Sequence, residues 1–357
     1  MDKYILSISV PTFNRKAELK ELVENLLSLK NGKLQVVITD NKSTDGTREY
    51  LKTIKDNRLK VCFNNEAVPG YYNMILGLFN ADGKYVIHCN DRDYIDISKI
   101  EKLIDFLERN DFSFIQTSRT YGMKTNKVEI FDKGFDSLIN QNYSSHPTGM
   151  IFNVGLMKAN LNPKDYLKYV DDTFTYSFLM RELVRFEKSA KYDIGCWNER
   201  NSKIKLKLKS GSVYKGGLYF EPDRICAFMK SVVRHILDQN KFELTLEEKE
   251  KLVINIIDYF KRQLILKKMC YSDKRECAHY GIKKRHVSYL EMKKIYRMYM
   301  KECEECLIEI GYIDKLKEKW LEKKKEYIHG LVKDCIKADK GILYRNLKRV
   351  ISVDYPY

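Results

Sequence analysis

A chain of 357 residues with 44% hydrophobic content is long enough for about two domains and too apolar for disorder to be its main state. Its net charge of +16 asks for an anionic partner, and it has no apolar run of roughly 18 residues that could cross a membrane as a helix. Nine cysteines, odd in number and without a short framework, fit a reducing compartment; with no signal-peptide layout at the N-terminus, a cytoplasmic location is expected.

The first 120 residues alternate between two hydrophobic periods. Strand-like Tyr4–Val10 ends at Pro11 and is followed by Ala17–Leu29, where Leu19, Leu22, Val23, Leu26 and Leu27 recur at helical spacing. Leu34–Thr39 is a short apolar run of the buried parallel type. A helix over Thr47–Ile54, a strand over Leu59–Phe63, a helix over Tyr71–Phe79, a strand over Tyr85–Cys89, a helix over Ile97–Leu107 and a strand over Phe112–Gln116 follow. This alternation predicts an α/β fold with a mostly parallel central sheet and helices on both faces. Ligands of such sheets bind outside the carboxyl ends of the strands, so the loops after strands one, two and four are where chemistry is expected.

The first of these loops is Pro11-Thr12-Phe13-Asn14-Arg15. Thr12 and Asn14 offer short polar groups, and Phe13 a face for a base to stack on; a plain strand-to-helix turn with Asn14 as N-cap explains the same residues. In the second loop Asp40 closes an apolar strand and is followed by Asn41. A carboxylate there needs a partner, and the N–H of a pyrimidine ring is one that fits. Ser43–Gly46 read as a tight turn, with Thr47 capping the next helix. The third loop is Asn90-Asp91-Arg92-Asp93. Carboxylates at i and i+2 of extended backbone point to one side, and a hard divalent cation, Mn²⁺ or Mg²⁺, relieves their repulsion.

Residues 121–220 are less regular, with a helix expected over Phe131–Ile139, a strand over Met150–Asn153 and a helix over Asp172–Glu187. The adjacent acids Asp171 and Asp172 suit either helix capping or a general base. From about Glu221 the pattern is helical, with segments near 222–239, 245–269, 288–310 and 312–337, and the Gly-Gly and Pro breakers at 215–222 mark a boundary between domains 1–220 and 221–357. Residues 261–300 carry 12 Lys and Arg against 3 Asp and Glu, interleaved with Tyr271, Tyr280, Tyr289, Tyr296 and Tyr299. That patch suits a solvated surface, an anionic membrane face, self-association through the C-terminal helices, or nucleic acid. Cys303-Glu-Glu-Cys306 lacks a second ligand pair for zinc, and neither GxGxxG nor GxxxxGK[ST] occurs.

Taken together, Ser7–Arg15, Val36–Thr47 and Asn80–Asp93, in this order and spacing, resemble the family 2 glycosyltransferases, over roughly residues 4–190. The resemblance implies a GT-A fold and inverting transfer from a nucleotide-diphosphate sugar, a UDP-sugar by preference, to a hydroxyl of a glycan or lipid-linked acceptor, as in bacterial-type surface polysaccharide synthesis. It implies nucleotide contacts from Pro11, Thr12, Asn14, Arg15, Asp40 and, with their neighbours, Phe13, Asn41, Asn73 and Asp91. Metal binding falls to Asp91 and Asp93, and the base is Asp171 or Asp172, with Asp172 preferred. Tyr72 stands where the family often has Arg, which leaves a basic diphosphate contact unassigned, and Arg92 departs from the usual residue between the two acids. A nucleotidyltransferase shares the paired acids but needs a Gly-rich basic loop that Pro11–Arg15 is not. A nucleic-acid-binding protein remains the reading from another class.

Overall fold

The computed structural model describes residues 3–119, 125–141, 146–169, 175–199, 220–238, 241–274, 277 and 281–351. Two compact units emerge, one of Met1–Arg200 with Lys241–Leu244 and one of Asn201–Asn240 with Thr245–Tyr357.

The first unit is built on a nine-stranded sheet. Strands β1 (Tyr4–Thr12), β2 (Leu34–Asp40), β3 (Leu59–Phe63) and β4 (Gly83–His88) run parallel in the order β3-β2-β1-β4. Beyond β4 the sheet continues through β8 (Met150–Asn153), β6 (Phe114–Arg119), β9 (Ser189–Glu199) and β5 (Asp93–Ile95), with β7 (Val128–Phe131) paired to β9. Antiparallel β8 sits between β4 and β6, so the carboxyl ends of β4 and β6 share one edge. Every residue of β2 is buried, as a parallel strand covered on both faces requires. Helix α1 (Lys16–Ser28) turns Leu19, Leu22, Val23 and Leu26 inward. Each such fully buried aliphatic contributes roughly 1.5–3 kcal/mol. Helices α2 (Thr47–Thr53), α3 (Gly70–Phe79), α4 (Ile100–Glu108), α5 (Phe135–Asn140), α6 (Val154–Asn160) and α7 (Tyr176–Leu183) complete the unit.

Four local expectations change. β1 runs on through Pro11 to Thr12, because proline lacks only a donor and the Thr12 carbonyl still accepts the Asn41 N–H at 2.9 Å. Asn14 is not an N-cap: at φ +52 its Oδ1 accepts the Thr44 N–H at 2.7 Å, which ties the first loop to the second. Capping falls to Asp45 instead, whose carboxylate accepts Lys16 N (3.0 Å) and Thr47 N (3.1 Å), serving α1 and α2 together. The stretch 131–139 divides into β7 and α5 at a turn where Gly134 takes φ +75. Of the helix expected over Asp172–Glu187, Tyr176–Leu183 is helical and 172–174 lie outside the described residues. Strand β9 was not anticipated.

The second unit is helical: α8 (Pro222–Leu237), α9 (Leu246–Gln263), α10 (Ile265–Ser272), α11 (Tyr289–Glu309) and α12 (Ile313–Ile351). Pro222 at the first turn starts α8, a Thr245–Glu248 capping box starts α9, and the Ser288 hydroxyl accepts Glu291 N to start α11. Met229, Val232, Leu252, Ile256, Tyr299, Cys303, Trp320 and Leu331 are buried in this unit. Cys303 and Cys306 are buried free thiols, and no His, Cys, Asp or Glu cluster able to hold a metal occurs among the described residues. No helix among them is long and apolar enough to cross a membrane.

Candidate active site

The carboxyl ends of β2, β1 and β4 lie side by side and carry the polar residues. Sheet register pairs Thr12 with Asp40. The Thr12 hydroxyl donates to Asp91 Oδ2 at 3.0 Å, and Arg15 Nη1 donates to Asp91 Oδ1 at 2.7 Å. Asp40, Thr12, Arg15 and Asp91 are thereby brought to a single rim. Phe13 stands beside them with its ring 49% exposed.

Asp40 is fully buried. Its Oδ2 accepts Ser43 N (3.1 Å) and Arg48 Nε (2.7 Å), while Oδ1, equally buried, has no partner. A buried carboxylate oxygen left unpaired is costly, so a ligand N–H at that position is favoured. Arg48 also donates to the Asn64 carbonyl at 2.6 Å and lies 4.9 Å over the Phe63 ring. Sequence reasoning missed Arg48. It lies in the first turn of a helix and reaches back to the preceding strand end, a direction that spacing alone does not reveal.

Asn41 and Asn73 stand behind this rim. Asn41 binds both the carbonyl and the N–H of Val68 (2.8 and 2.9 Å), and Asn73 accepts from Asn64 Nδ2 (2.8 Å) and donates to the Thr39 carbonyl (3.1 Å). With both ends of each amide engaged, these two side chains brace the loop that presents Asp40.

Asp91 lies in a turn, closed by the Asp93 N–H donating to the Asn90 carbonyl at 3.0 Å, and Asp93 opens β5, so the two acids do not share one run of extended backbone. Both are almost fully buried. Burial pushes the Asp91 carboxyl above the usual carboxylate range, and Arg15 and Thr12 oppose the rise. Asp93 Oδ2 accepts from Asn90 Nδ2 (2.9 Å) and Thr148 Oγ1 (2.5 Å), and His146 Nε2 lies 3.3 Å from it. Thr148 N donates to His146 Nδ1 at 3.3 Å, so the neutral ring carries its proton on Nε2, facing Asp93. The ring is also stacked on Trp197, with centroids 4.9 Å apart. His146 is therefore a positioning residue for Asp93.

His88 extends this network inward. Its Nε2 lies 3.1 Å from Asn90 Oδ1; the Asn90 amide must turn Nδ2 to Asp93, so His88 is the donor. Burial depresses its pKa to about 4. An unfolded chain would take up this proton near pH 6.5, so folding stability should fall as pH drops from 6.5 toward 4, by about 3 kcal/mol in all. Urea unfolding across that window checks this; in His88→Gln that part of the slope should disappear.

A divalent cation bound through one or two carboxylates and substrate phosphates is ordinary for Mg²⁺, and the donors here fit that pattern. Asp93, held by Asn90 and Thr148, would be the residue to hold such a cation. Asp91 would join only as Arg15 moves to another anion. Asp171 and Asp172 lie outside the described residues.

Residues 7–185 match the family model described as Glycosyl transferase family 2. The chain belongs to that family. Among relatives of this glycosyltransferase, the UDP-Glc:alpha-D-GlcNAc-diphosphoundecaprenol beta-1,3-glucosyltransferase WfaP of Escherichia coli is 30% identical over 113 residues, covering 31% of this chain and 44% of that protein. The putative teichuronic acid biosynthesis glycosyltransferase TuaG of Bacillus subtilis is 26% identical over 114 residues, 31% of this chain and 45% of that one. The matches thus span less than half the length of either relative. Staphylococcus aureus TarS 1-349, solved in complex with UDP-GlcNAc, superposes with TM-score 0.56 at 16% identity, over 96% of this glycosyltransferase and 92% of that chain. That likeness, with the mixed sheet and the helical C-terminal region, gives the GT-A fold.

Proposed function

We propose that this glycosyltransferase moves a sugar, with inversion, from a uridine-diphosphate sugar to a hydroxyl of a glycan or lipid-linked acceptor in surface polysaccharide synthesis. The carrying observation is the unpartnered, buried Oδ1 of Asp40 at the end of β2. A pyrimidine ring N–H satisfies it, with Phe13 beside it as a stacking face. The donor and acceptor named for the Escherichia coli relative, and the ligand of the TarS complex, support a uridine donor; the same relative supports a lipid-linked acceptor.

In this reading Arg15 transfers its charge from Asp91 to the incoming diphosphate, which supplies the basic contact that Tyr72 cannot. The acceptor hydroxyl attacks the anomeric carbon from the face opposite the diphosphate. The sugar–oxygen bond breaks with its electron pair going to the phosphate oxygen, and Asp172 or Asp171 takes the hydroxyl proton. A divalent cation on Asp93, when bound, stabilises charge on the leaving diphosphate. Thr148, His146 and Asn90 hold that carboxylate, and donor positioning contributes much of the rest.

Asp40→Asn keeps the shape and loses the charged acceptor. Uridine-nucleotide affinity measured by calorimetry should fall about 10- to 100-fold, the range for a hydrogen bond to a charged group, with the unfolding midpoint followed in parallel. Unchanged affinity would remove Asp40 from base recognition.

A further inference from the structure

The basic stretch 261–300 is not a uniform surface. Tyr296 and Tyr299 are buried, with hydroxyls donating to Asp334 (3.1 Å) and to the Ile257 carbonyl (2.6 Å). Tyr271 donates to Glu221 at 2.9 Å and lies 4.4 Å under Arg285. Lys261, Lys267 and Lys268 pair with Asp334, Glu221 and Asp339. Arg262 and Lys274 are exposed singly, and the exposed cations cluster at the tip where residues 283–288 lead into α11. There six Lys and Arg stand against one Glu over residues 283–297, and that Glu291 is held by Arg285 at 2.7 Å. Lys283, Lys284, Lys294 and Arg297 are exposed and form no ion pair among the described residues. Between them project Leu290, 68% exposed and the most exposed large hydrophobic side chain described, and Tyr289, 40% exposed. Leu290, Lys294 and Arg297 follow at i, i+4 and i+7, on one helix face.

We propose that this tip, centred on Leu290, docks the protein onto an anionic lipid bilayer. Four unpaired cations attract the negative lipid surface, and Leu290 enters the headgroup boundary with Tyr289 at the interface. Single-stranded nucleic acid fits less well, because its readers stack successive bases on several exposed aromatic faces, and Tyr271, Tyr296 and Tyr299 are committed elsewhere, which leaves Tyr289 as the exposed one among the described tyrosines of this stretch. Like charge across the tip opposes pairing with a second copy. The inference is independent of the transfer chemistry, since vesicle binding requires neither donor nor acceptor.

The test is co-sedimentation of the full chain with phosphatidylglycerol-containing vesicles against pure phosphatidylcholine vesicles. The protein should partition onto the anionic vesicles alone, and less so as salt rises. Replacing Lys283, Lys284, Lys294 and Arg297 together by Gln should lower partition on the order of 10²–10³-fold, about fivefold per charge. Leu290→Ser alone should lower it about tenfold. Neutralising the same number of exposed lysines elsewhere, Lys52, Lys102, Lys133 and Lys164, should leave most of the binding intact. All these positions are exposed, so circular dichroism and uridine-nucleotide affinity should be unchanged in every variant. Equal binding to neutral vesicles, or loss of binding no greater in the tip variant than in the lysine control, overturns the proposal. Salt-sensitive binding to an RNA oligonucleotide without vesicle binding also overturns it.

Discussion

Asp172→Asn is expected to lower sugar transfer by about 10²–10⁴-fold, with donor affinity almost unchanged. Asparagine keeps the volume of aspartate but cannot take the hydroxyl proton. The loss should fall on kcat in assays with saturating donor. Asp171→Asn is the control that separates the two acids: if Asp171 is the base, the large loss moves to that variant. Near-normal turnover in both single variants removes the pair from proton transfer, and a matching collapse of donor affinity makes them binding residues instead.

Gly149→Ala acts on the same chemistry through packing. Gly149 sits at φ +91, and a Cβ there would lie 2.0 Å from Trp197 Nε1 and 2.7 Å from Thr117 Oγ1. Left-handed strain and overpacking each cost about 1–3 kcal/mol, so the unit should lose roughly 2–6 kcal/mol in urea unfolding. The flanking residues feel the shift directly. Thr148 and His146 hold Asp93, and Trp197 stacks on His146. Transfer should therefore fall, while base recognition at Asp40, carried by β2, should persist. Combining the change with Trp197→Leu removes the nearest clashing atoms and should recover part of the stability. A Gly149→Ala protein as stable as the parent contradicts this packing account.

The fold was readable where hydrophobic period and strand-end chemistry agree. Leu34-Gln-Val-Val-Ile-Thr-Asp40 announces a buried parallel strand that ends on a polar rim, and the alternation through residue 116 follows the same logic. β9 was missed although Ala190, Tyr192, Ile194 and Cys196 alternate at period two with Lys191, Asp193 and Gly195, the pattern of a half-buried strand, which Gly195 interrupts. At the candidate site, Thr12, Arg15, Asp40, Asp91 and Asp93 were named from sequence; the first four stand on the rim and Asp93 is held by Asn90 and Thr148, while their roles in binding remain the proposal. The support around them was illegible. Arg48 meets Asp40 by reaching back from a helix, and His146 and Trp197 meet only because β8 and β9 enter one sheet with β6 between them. Sheet register sets such pairings, and no local pattern encodes them.

The central claim is that Asp40, Thr12, Arg15, Asp91 and Asp93 together grip a uridine-diphosphate sugar. Thermal-shift titration of the full chain with UDP-sugars and with the adenine, guanine and cytosine counterparts, each with and without Mn²⁺, tests it most directly. The predicted result is a stabilisation that grows with ligand concentration, is largest for uridine-diphosphate ligands and is enhanced by Mn²⁺. Equal shifts for all bases, or no shift with any nucleotide, contradict it.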